Sequence, residues 1–199
     1  MPTETLLNAP PLWLATPLLG EPDARGLLET LDAELAWQRP VLRLYGREHR
    51  IPRSQVWMGD PDARYRYSGR DFLPEPWHPV VAEVKERVIA AMAGAGTRCR
   101  FNSVLLNRYD GGEERMGWHS DDEPELGPDP IIAAVSLGGE RPLRFRWKHR
   151  NASAFNVWLP HDSLLVMGSG VQRELQHALL PRRLPGLRIS LTFRRLIDR

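Results

Sequence analysis

The second half of the chain is a succession of short segments with β-strand character. From about residue 100 onward, runs of branched and aromatic side chains are separated by Gly, Pro, Asp and Asn. Short strands at such spacing are typical of a sandwich, a barrel or a jelly roll. The candidate strands are 100–109, 131–138, 142–148, 155–160, 163–168, 176–180 and 187–196.

Two amphipathic helices are predicted upstream of these strands. Apolar residues recur at helical spacing from Asp23 to near Trp37, and again from about Pro79 to Ala93, where Gly94 follows. We therefore expect a single α+β domain over residues 1–199. Its core is a double-stranded β-helix of jelly-roll type over residues 98–199, with flanking N-terminal helices.

Three further segments connect or precede these elements. Residues 1–20 are rich in proline and leucine, which predicts an irregular N-terminal arm over the core. Residues 41–50 are predicted to form a hairpin with Tyr45 and Gly46 at its tip. Residues 52–76 are aromatic and are predicted to be loop-like.

The composition excludes several classes of protein and kinds of site. The chain has 199 residues, a formal net charge of +2 and one cysteine, Cys99, so it forms no internal disulfide and no Cys-based zinc site. The first 23 residues lack Lys and Arg, and no apolar run approaches a membrane span, so we expect a cytoplasmic protein without membrane association. Lys85 and Lys148 are its only lysines; the arginine bias reflects either base composition or contact with phosphates.

One spacing predicts a metal site. His119 and Asp121 are separated by a single residue, and His177 lies at the start of another predicted strand. Side chains two apart on a strand project to one side, so both can reach the same ion. Two histidines and one carboxylate form the facial triad that holds non-haem Fe(II). The alternative is a surface His-x-Asp pair without metal, with His49, His78, His149 and His161 as competing partners.

The last predicted strand carries two arginines on one face. Arg188 and Arg194 alternate with apolar residues and share their face with Ser190 and Thr192. Buried guanidinium groups require anionic partners, and a dicarboxylate held by arginine is such a partner. The alternative is an exposed edge strand with solvated arginines.

Taken together, these motifs resemble the AlkB family of Fe(II)/2-oxoglutarate dioxygenases. The similarity covers about three quarters of the chain and is closest to the branch active on double-stranded DNA. The motifs that carry it are Phe101-Asn102-x-Val104-Leu105-x-Asn107-Arg108-Tyr109, His119-x-Asp121, His177 and Arg188-x-Ser190-x-Thr192-Phe193-Arg194.

The resemblance implies a reaction and its metal ligands. His119, Asp121 and His177 would be the catalytic iron ligands, with 2-oxoglutarate and O2 as co-substrates. The reaction would be oxidative demethylation of alkylated DNA bases such as 1-methyladenine and 3-methylcytosine, releasing formaldehyde, succinate and CO2. The alternatives are a dioxygenase acting on RNA or protein side chains and a non-catalytic nucleic-acid-binding module.

The resemblance also implies how 2-oxoglutarate is bound. Asn107 and Tyr109 would hydrogen-bond the co-substrate, Arg188 would pair with its distal carboxylate, and Arg194 would lie near the keto-acid end by the iron. Ser190 departs from the family, which usually has asparagine there. Because a hydroxyl is shorter, it implies a bridging water or weaker affinity.

Substrate-side residues follow from the same resemblance. Tyr65, Tyr67 and Ser68 match a segment that lines the flipped-base pocket, with ordinary core aromatics as the alternative. Glu123 would read the exocyclic nitrogen of the base, and Asp122 would be a neighbouring polar contact.

The predicted hairpin matches an intercalating hairpin of the same branch, and the resemblance implies that residues 41–76 form a nucleotide-recognition hairpin and lid. Tyr45 would fill the gap left by the extruded base, unless it is an ordinary hairpin residue. The expected partner is alkylated DNA, duplex included, with RNA as a further candidate and a monomer as the working unit.

Overall fold

Fifteen strands and three helices make up the computed structural model, which describes residues 1–44, 47–63, 65–67, 70–149 and 151–197. The helices are α1 (Asp23–Glu34), α2 (Pro79–Gly94) and the short α3 (Val171–Glu174), with a 3-10 turn at Pro124–Leu126. The strands are β1 (Thr3–Leu7), β2 (Leu12–Ala15), β3 (Val41–Leu44), β4 (Arg47–Arg50), β5 (Ser54–Gly59), β6 (Tyr65–Tyr67), β7 (Arg70–Phe72), β8 (Ser103–Tyr109), β9 (Met116–His119), β10 (Ile132–Gly138), β11 (Arg141–Trp147), β12 (Phe155–Leu159), β13 (Ser163–Met167), β14 (Leu175–Leu179) and β15 (Arg188–Arg194).

Two antiparallel sheets form the core. The larger has the strand order β1-β2-β13-β10-β15-β8-β5, and the smaller has the order β12-β11-β14-β9. Their facing side chains form one apolar cluster that includes Leu14 and Ile132 from the larger sheet and Phe145 and Val157 from the smaller. This double-sheet architecture is the jelly roll that the strand pattern predicted.

The other face of the larger sheet is covered by the two long helices. Leu27 and Leu31 of α1 and Val84 and Val88 of α2 are buried in one cluster with residues of five of its strands. Their helical spacing is the periodicity read from the sequence. Both faces of the larger sheet are therefore covered, and its central strands are buried on both sides.

The N-terminal segment is not the irregular arm expected from its prolines. β1 pairs with β2, and β2 pairs with β13, so this segment extends the larger sheet. Leu12 and Leu14 face the space between the sheets, and Trp13 packs toward the helices. A strand that is apolar on both faces has no two-residue alternation, which is why the sequence did not reveal it.

Residues 52–76 were also expected to be loop-like, and this expectation is wrong. β5 is the edge strand of the larger sheet and pairs with β8, while β6 and β7 form a short hairpin. The core thus draws strands from outside 98–199. Gln38 and Glu75 form single bridges to β5, so the segments that precede β3 and follow β7 lie along this edge.

The predicted hairpin at 41–50 is present as β3 and β4, with Leu44 opposite Arg47. Its predicted tip, Tyr45 and Gly46, lies outside the described residues. Within the parts of the chain that the structure describes, no helix has the length and apolar character needed to span a membrane.

Candidate metal and co-substrate site

Strand pairing in the smaller sheet brings three potential metal ligands together. His119 ends β9 and lies opposite His177 of β14, and Asp121 follows in the loop after β9. One ligand atom from each of the three residues lies within 4.8 Å of the other two. The His-x-Asp pair and the distant histidine therefore form one cluster. Among the described residues, these three form the one group of His, Cys, Asp or Glu side chains that lie close enough together to hold a metal ion.

The protonation states of the cluster suit a cation. Burial lowers the pKa of His177 to about 3, and the neighbouring His119 acts in the same direction, so the imidazole is neutral. Burial acts to raise the pKa of Asp121, but the positive charge of Arg194 is the largest opposing influence, and the pKa is lowered. A neutral imidazole and an ionised carboxylate are the forms that bind metal.

The geometry also fits a bound ion. Oδ2 of Asp121 is buried without a hydrogen-bond partner and lies 3.9 Å from Nε2 of His177. That distance is too long for a hydrogen bond, but an ion with bonds of about 2.0–2.2 Å can contact both atoms. Nδ1 of His119 lies 2.8 Å from the carbonyl oxygen of Gly117, which leaves Nε2 for the metal. Two imidazole nitrogens and one carboxylate oxygen suit Fe(II).

A buried glutamine fixes the loop that carries Asp121. Oε1 of Gln172, in α3, accepts a hydrogen bond from the backbone N–H of Asp121 at 2.9 Å. Gln172 is buried, and its Nε2 contacts the sulfur of Met167. No motif in the sequence pointed to Gln172, because its role depends on a turn of helix that packs against the loop only in the folded chain.

Beside the cluster lies a chamber between the two sheets. The final strand, β15, has its neighbours β10 and β8 on either side, so it is not an exposed edge strand. Ile189, Leu191 and Phe193 pack toward the helices. The chamber is lined by Asn107, Tyr109, Met116, His119, Asp121, Ala134, Leu143, Leu159, Met167, His177, Leu179, Arg188, Ser190, Thr192 and Arg194.

Arg188 is the strongest indication that the chamber binds an anion. It is 3% exposed, and burial lowers its pKa to about 10. Its Nη2 donates to Oγ of Ser136 at 2.9 Å, while its Nε is buried without a partner. Its guanidinium also lies over the ring of Tyr109, 5.5 Å from the ring centroid. Burying a guanidinium that contacts only neutral groups costs free energy. A ligand carboxylate offsets this cost, because it supplies a negative charge and the missing hydrogen-bond acceptors.

Arg194 lies at the metal end of the chamber. Its Nη2 donates a hydrogen bond to Oδ1 of Asp121. This places the guanidinium next to the three potential metal ligands. Ser190 lies between the arginines, opposite Asn107 of β8 and Ser136 of β10.

The two acidic residues after the metal loop have different surroundings. Asp122 is exposed and pairs with Lys148, whose Nζ lies 2.9 Å from Oδ2. Glu123 is half-buried; burial raises its pKa, and its Oε2 has no hydrogen-bond partner. Glu123 is therefore the carboxylate available to a ligand, whereas the charge of Asp122 is largely offset by Lys148.

The base-pocket and hairpin residues predicted from the sequence are only partly described. Tyr65 and Tyr67 lie on β6, opposite Phe72 and Arg70 of β7. Ser68 and Tyr45 lie outside the described residues.

Comparisons with known proteins agree with this geometry. The family model of the 2OG-Fe(II) oxygenase superfamily matches residues 12–194. DNA oxidative demethylase ALKBH2 from Mus musculus is 34% identical over 193 residues, covering 92% of this chain and 79% of the relative. The Homo sapiens ALKBH2 is 33% identical, covering 92% and 72%. Human alpha-ketoglutarate-dependent dioxygenase alkB homolog 3 is 32% identical, covering 86% and 61%.

Solved structures share the fold at lower identity. The structure of OsALKBH1 superimposes with a TM-score of 0.71 at 16% identity, covering 98% of this chain and 100% of the other. A 2OG-Fe(II) oxygenase family oxidoreductase from Burkholderia pseudomallei gives a TM-score of 0.58 at 13% identity, covering 92% and 84%. The His-Asp-His cluster, the chamber with its buried Arg188 and these matches together show that the chain belongs to the AlkB family within the 2OG-Fe(II) oxygenase superfamily.

Proposed function

We propose that this protein is an Fe(II)/2-oxoglutarate-dependent dioxygenase that repairs alkylated DNA by oxidative demethylation. The observation that carries the proposal is the His119, Asp121 and His177 cluster, which borders a chamber containing the incompletely bonded Arg188. Relatives that match most of the chain are named DNA oxidative demethylases. When bound, Fe(II) would supply the chemistry by which O2 and 2-oxoglutarate oxidise an N-methyl group of the base. The products are formaldehyde, succinate, CO2 and the repaired base.

The residues around the chamber bind and orient the co-substrate. Arg188 pairs with the distal carboxylate of 2-oxoglutarate, because its free Nε and its Nη2 can form a bidentate contact. Asn107 and Tyr109 contribute hydrogen bonds from β8. Arg194 orients Asp121 through their hydrogen bond and adds positive charge at the keto-acid end. Ser190 leaves room for a water molecule where a longer amide would reach the co-substrate.

On the substrate side, the favoured lesions are cationic bases such as 1-methyladenine and 3-methylcytosine. Glu123 is the free carboxylate near the metal ligands, so it contacts the exocyclic nitrogen of the base. Asp122 contributes a weaker contact because Lys148 competes for its oxygen. A flipped base stacks between His119 and the aromatic residues Tyr65 and Tyr67, and Ser68 is a further contact.

Duplex DNA is the preferred form of the substrate in this proposal. In this proposal Tyr45 is the aromatic wedge of the predicted hairpin and fills the gap left by the flipped base. β5 pairs with the strand that carries Asn107 and Tyr109, and Gln38 and Glu75, next to the two hairpins, form bridges to β5. These contacts support a lid of residues 41–76 beside the chamber. The chain works as an intracellular monomer with a single domain.

The experiment is mass spectrometry of alkylated oligonucleotides after reaction with the Fe(II)-loaded protein, ascorbate and 2-oxoglutarate. The panel contains single-stranded DNA, duplex DNA and RNA, each with 1-methyladenine or 3-methylcytosine. We expect loss of the methyl group from DNA, fastest in the duplex, and no turnover with Asp121→Ala. Repair of RNA alone would favour the RNA alternative, and unchanged oligonucleotides with no succinate formed would contradict the proposal.

The duplex preference has its own test. Tyr45→Ala is expected to lower the rate on duplex by about tenfold or more, since an aromatic wedge offsets a few kcal/mol of unstacking. Activity on single strands should remain, because no stacked partner has to be replaced there. An equal loss on both substrates would contradict an intercalating role.

A further inference from the structure

Arg53 lies behind the co-substrate chamber without lining it. It immediately precedes β5, in which Gln55 pairs with Asn107 of β8. Nε of Arg53 donates a hydrogen bond to Oδ1 of Asn107 at 2.7 Å. Asn107 is 3% exposed and lines the chamber. Arg53 can therefore influence a bound co-substrate through Asn107.

This hydrogen bond determines which way the amide of Asn107 points. A guanidinium has only donors, so the oxygen of the amide must face Arg53. The amide is planar with its amino group on the other branch, and the reverse orientation would place two donors against each other. Within the described residues, no hydrogen bond uses Nδ2 of Asn107. The amino group is therefore available as a donor to an anion in the chamber.

Arg53 also places a third positive charge near the chamber. Burial lowers its pKa, and the groups that act on it electrostatically are Tyr109 and Arg194, neither of which is a carboxylate. Arg188 and Arg194 line the same chamber. Three guanidinium groups around one space favour a ligand with two negative charges.

We propose that Arg53 is a positioning residue for 2-oxoglutarate. It holds Asn107 with its amino group toward the chamber and adds positive potential behind it. The inference rests on the proposed role of Asn107 in binding the co-substrate. It predicts that the strength of 2-oxoglutarate binding depends on a residue that never contacts 2-oxoglutarate.

Calorimetric titration of the full-length, Mn(II)-loaded protein with 2-oxoglutarate measures this effect without turnover. Arg53→Met is expected to raise the Kd by about tenfold, the effect of losing one charge-assisted hydrogen bond. Arg53→Lys keeps the charge but loses the planar fork, so a rise of about threefold is expected. The matched control is Arg25→Met, which removes one exposed arginine from α1 and should leave the Kd within about twofold.

A double-mutant cycle separates action through Asn107 from independent action. In an Asn107→Ala background, Arg53→Met should raise the Kd by only about threefold, because the group that Arg53 orients is gone and only the loss of positive charge remains. Full additivity of the two changes would overturn the proposal. So would an unchanged Kd for Arg53→Met combined with a raised KM for the methylated oligonucleotide, which would assign Arg53 to DNA contact.

One further measurement and one substitute variant guard against misfolding. Thermal unfolding followed by circular dichroism verifies that each variant folds, and Arg53→Gln takes the place of Arg53→Met if that variant does not. Failure of the proposed function is distinguishable from failure of the Arg53 inference, because in that case the wild-type protein itself would bind no 2-oxoglutarate and form no succinate.

Discussion

Single residues decide the chemistry of this site because each is placed by a strand register. His119 and His177 are opposite each other across β9 and β14, and Arg188 and Arg194 share the chamber face of β15. The sequence predicted these positions because two-residue spacing on a strand survives folding unchanged. It did not predict Arg53, Ser136 or Gln172, whose roles depend on neighbours that are distant in the chain.

Ser136 supports Arg188, and its removal should weaken co-substrate binding. Its Oγ accepts a hydrogen bond from Nη2 of Arg188 in a buried setting. Ser136→Ala is expected to raise the Kd for 2-oxoglutarate by about five- to tenfold, because a hydrogen bond to a charged group contributes on the order of 1–1.5 kcal/mol. Titration calorimetry measures this Kd.

The matched control for this prediction is Ser163, which pairs with Ser136 across β10 and β13. Its Oγ donates to the carbonyl oxygen of Pro160 instead, so Ser163→Ala should change stability but not the Kd. Equal effects of the two substitutions on the Kd would show that Ser136 acts only through packing.

At the scale of elements, the regular strands and helices were predictable and the irregular additions were not. The seven predicted strands and the two long helices are all present, and their bounds differ by a few residues. β9 was missed because Gly117 interrupts its pattern, and β5 because the aromatic residues around it resemble a loop. β2 was missed because prolines precede and follow a short run that is apolar on both faces.

The strand status of β2 leads to a stability prediction. Leu12 is fully buried between the sheets, so Leu12→Ala should lower the free energy of unfolding by about 2–5 kcal/mol. Leu73 is 68% exposed, and Leu73→Ala should change it by less than about 0.5 kcal/mol. Urea denaturation measures both. A small change in the free energy of unfolding for Leu12→Ala would contradict the placement of β2 in the larger sheet and would support an irregular N-terminal arm.

The short helix α3 positions the metal loop, which leads to a prediction on iron affinity. Gln172→Ala removes the acceptor for the backbone N–H of Asp121 and should weaken Fe(II) binding by about tenfold, as with other groups that orient metal ligands. Gln176→Ala is the control, because Gln176 accepts hydrogen bonds from Arg146 on the exposed side of its strand. Anaerobic competition with a metal indicator measures the affinities, and equal values for both variants would contradict a positioning role for α3.

At the scale of the whole molecule, the jelly roll provides a chamber that neither sheet could form alone. The smaller sheet contributes the histidines, and the larger sheet contributes the arginines and Asn107. The helices cover the far side of the larger sheet, so β15 is buried and its arginines can only face the chamber. The architecture therefore links the metal cluster and the co-substrate residues in one space.

The most direct test of this account compares three product yields from one reaction. Duplex DNA containing 1-methyladenine is incubated with the Fe(II)-loaded protein, O2 and limiting 2-oxoglutarate, and repaired base, formaldehyde and succinate are quantified together. The account predicts equal amounts of formaldehyde and repaired base, at least as much succinate, and none of the three with Asp121→Ala. Intact methylated base in the presence of succinate, or repair that persists in Asp121→Ala, would contradict it.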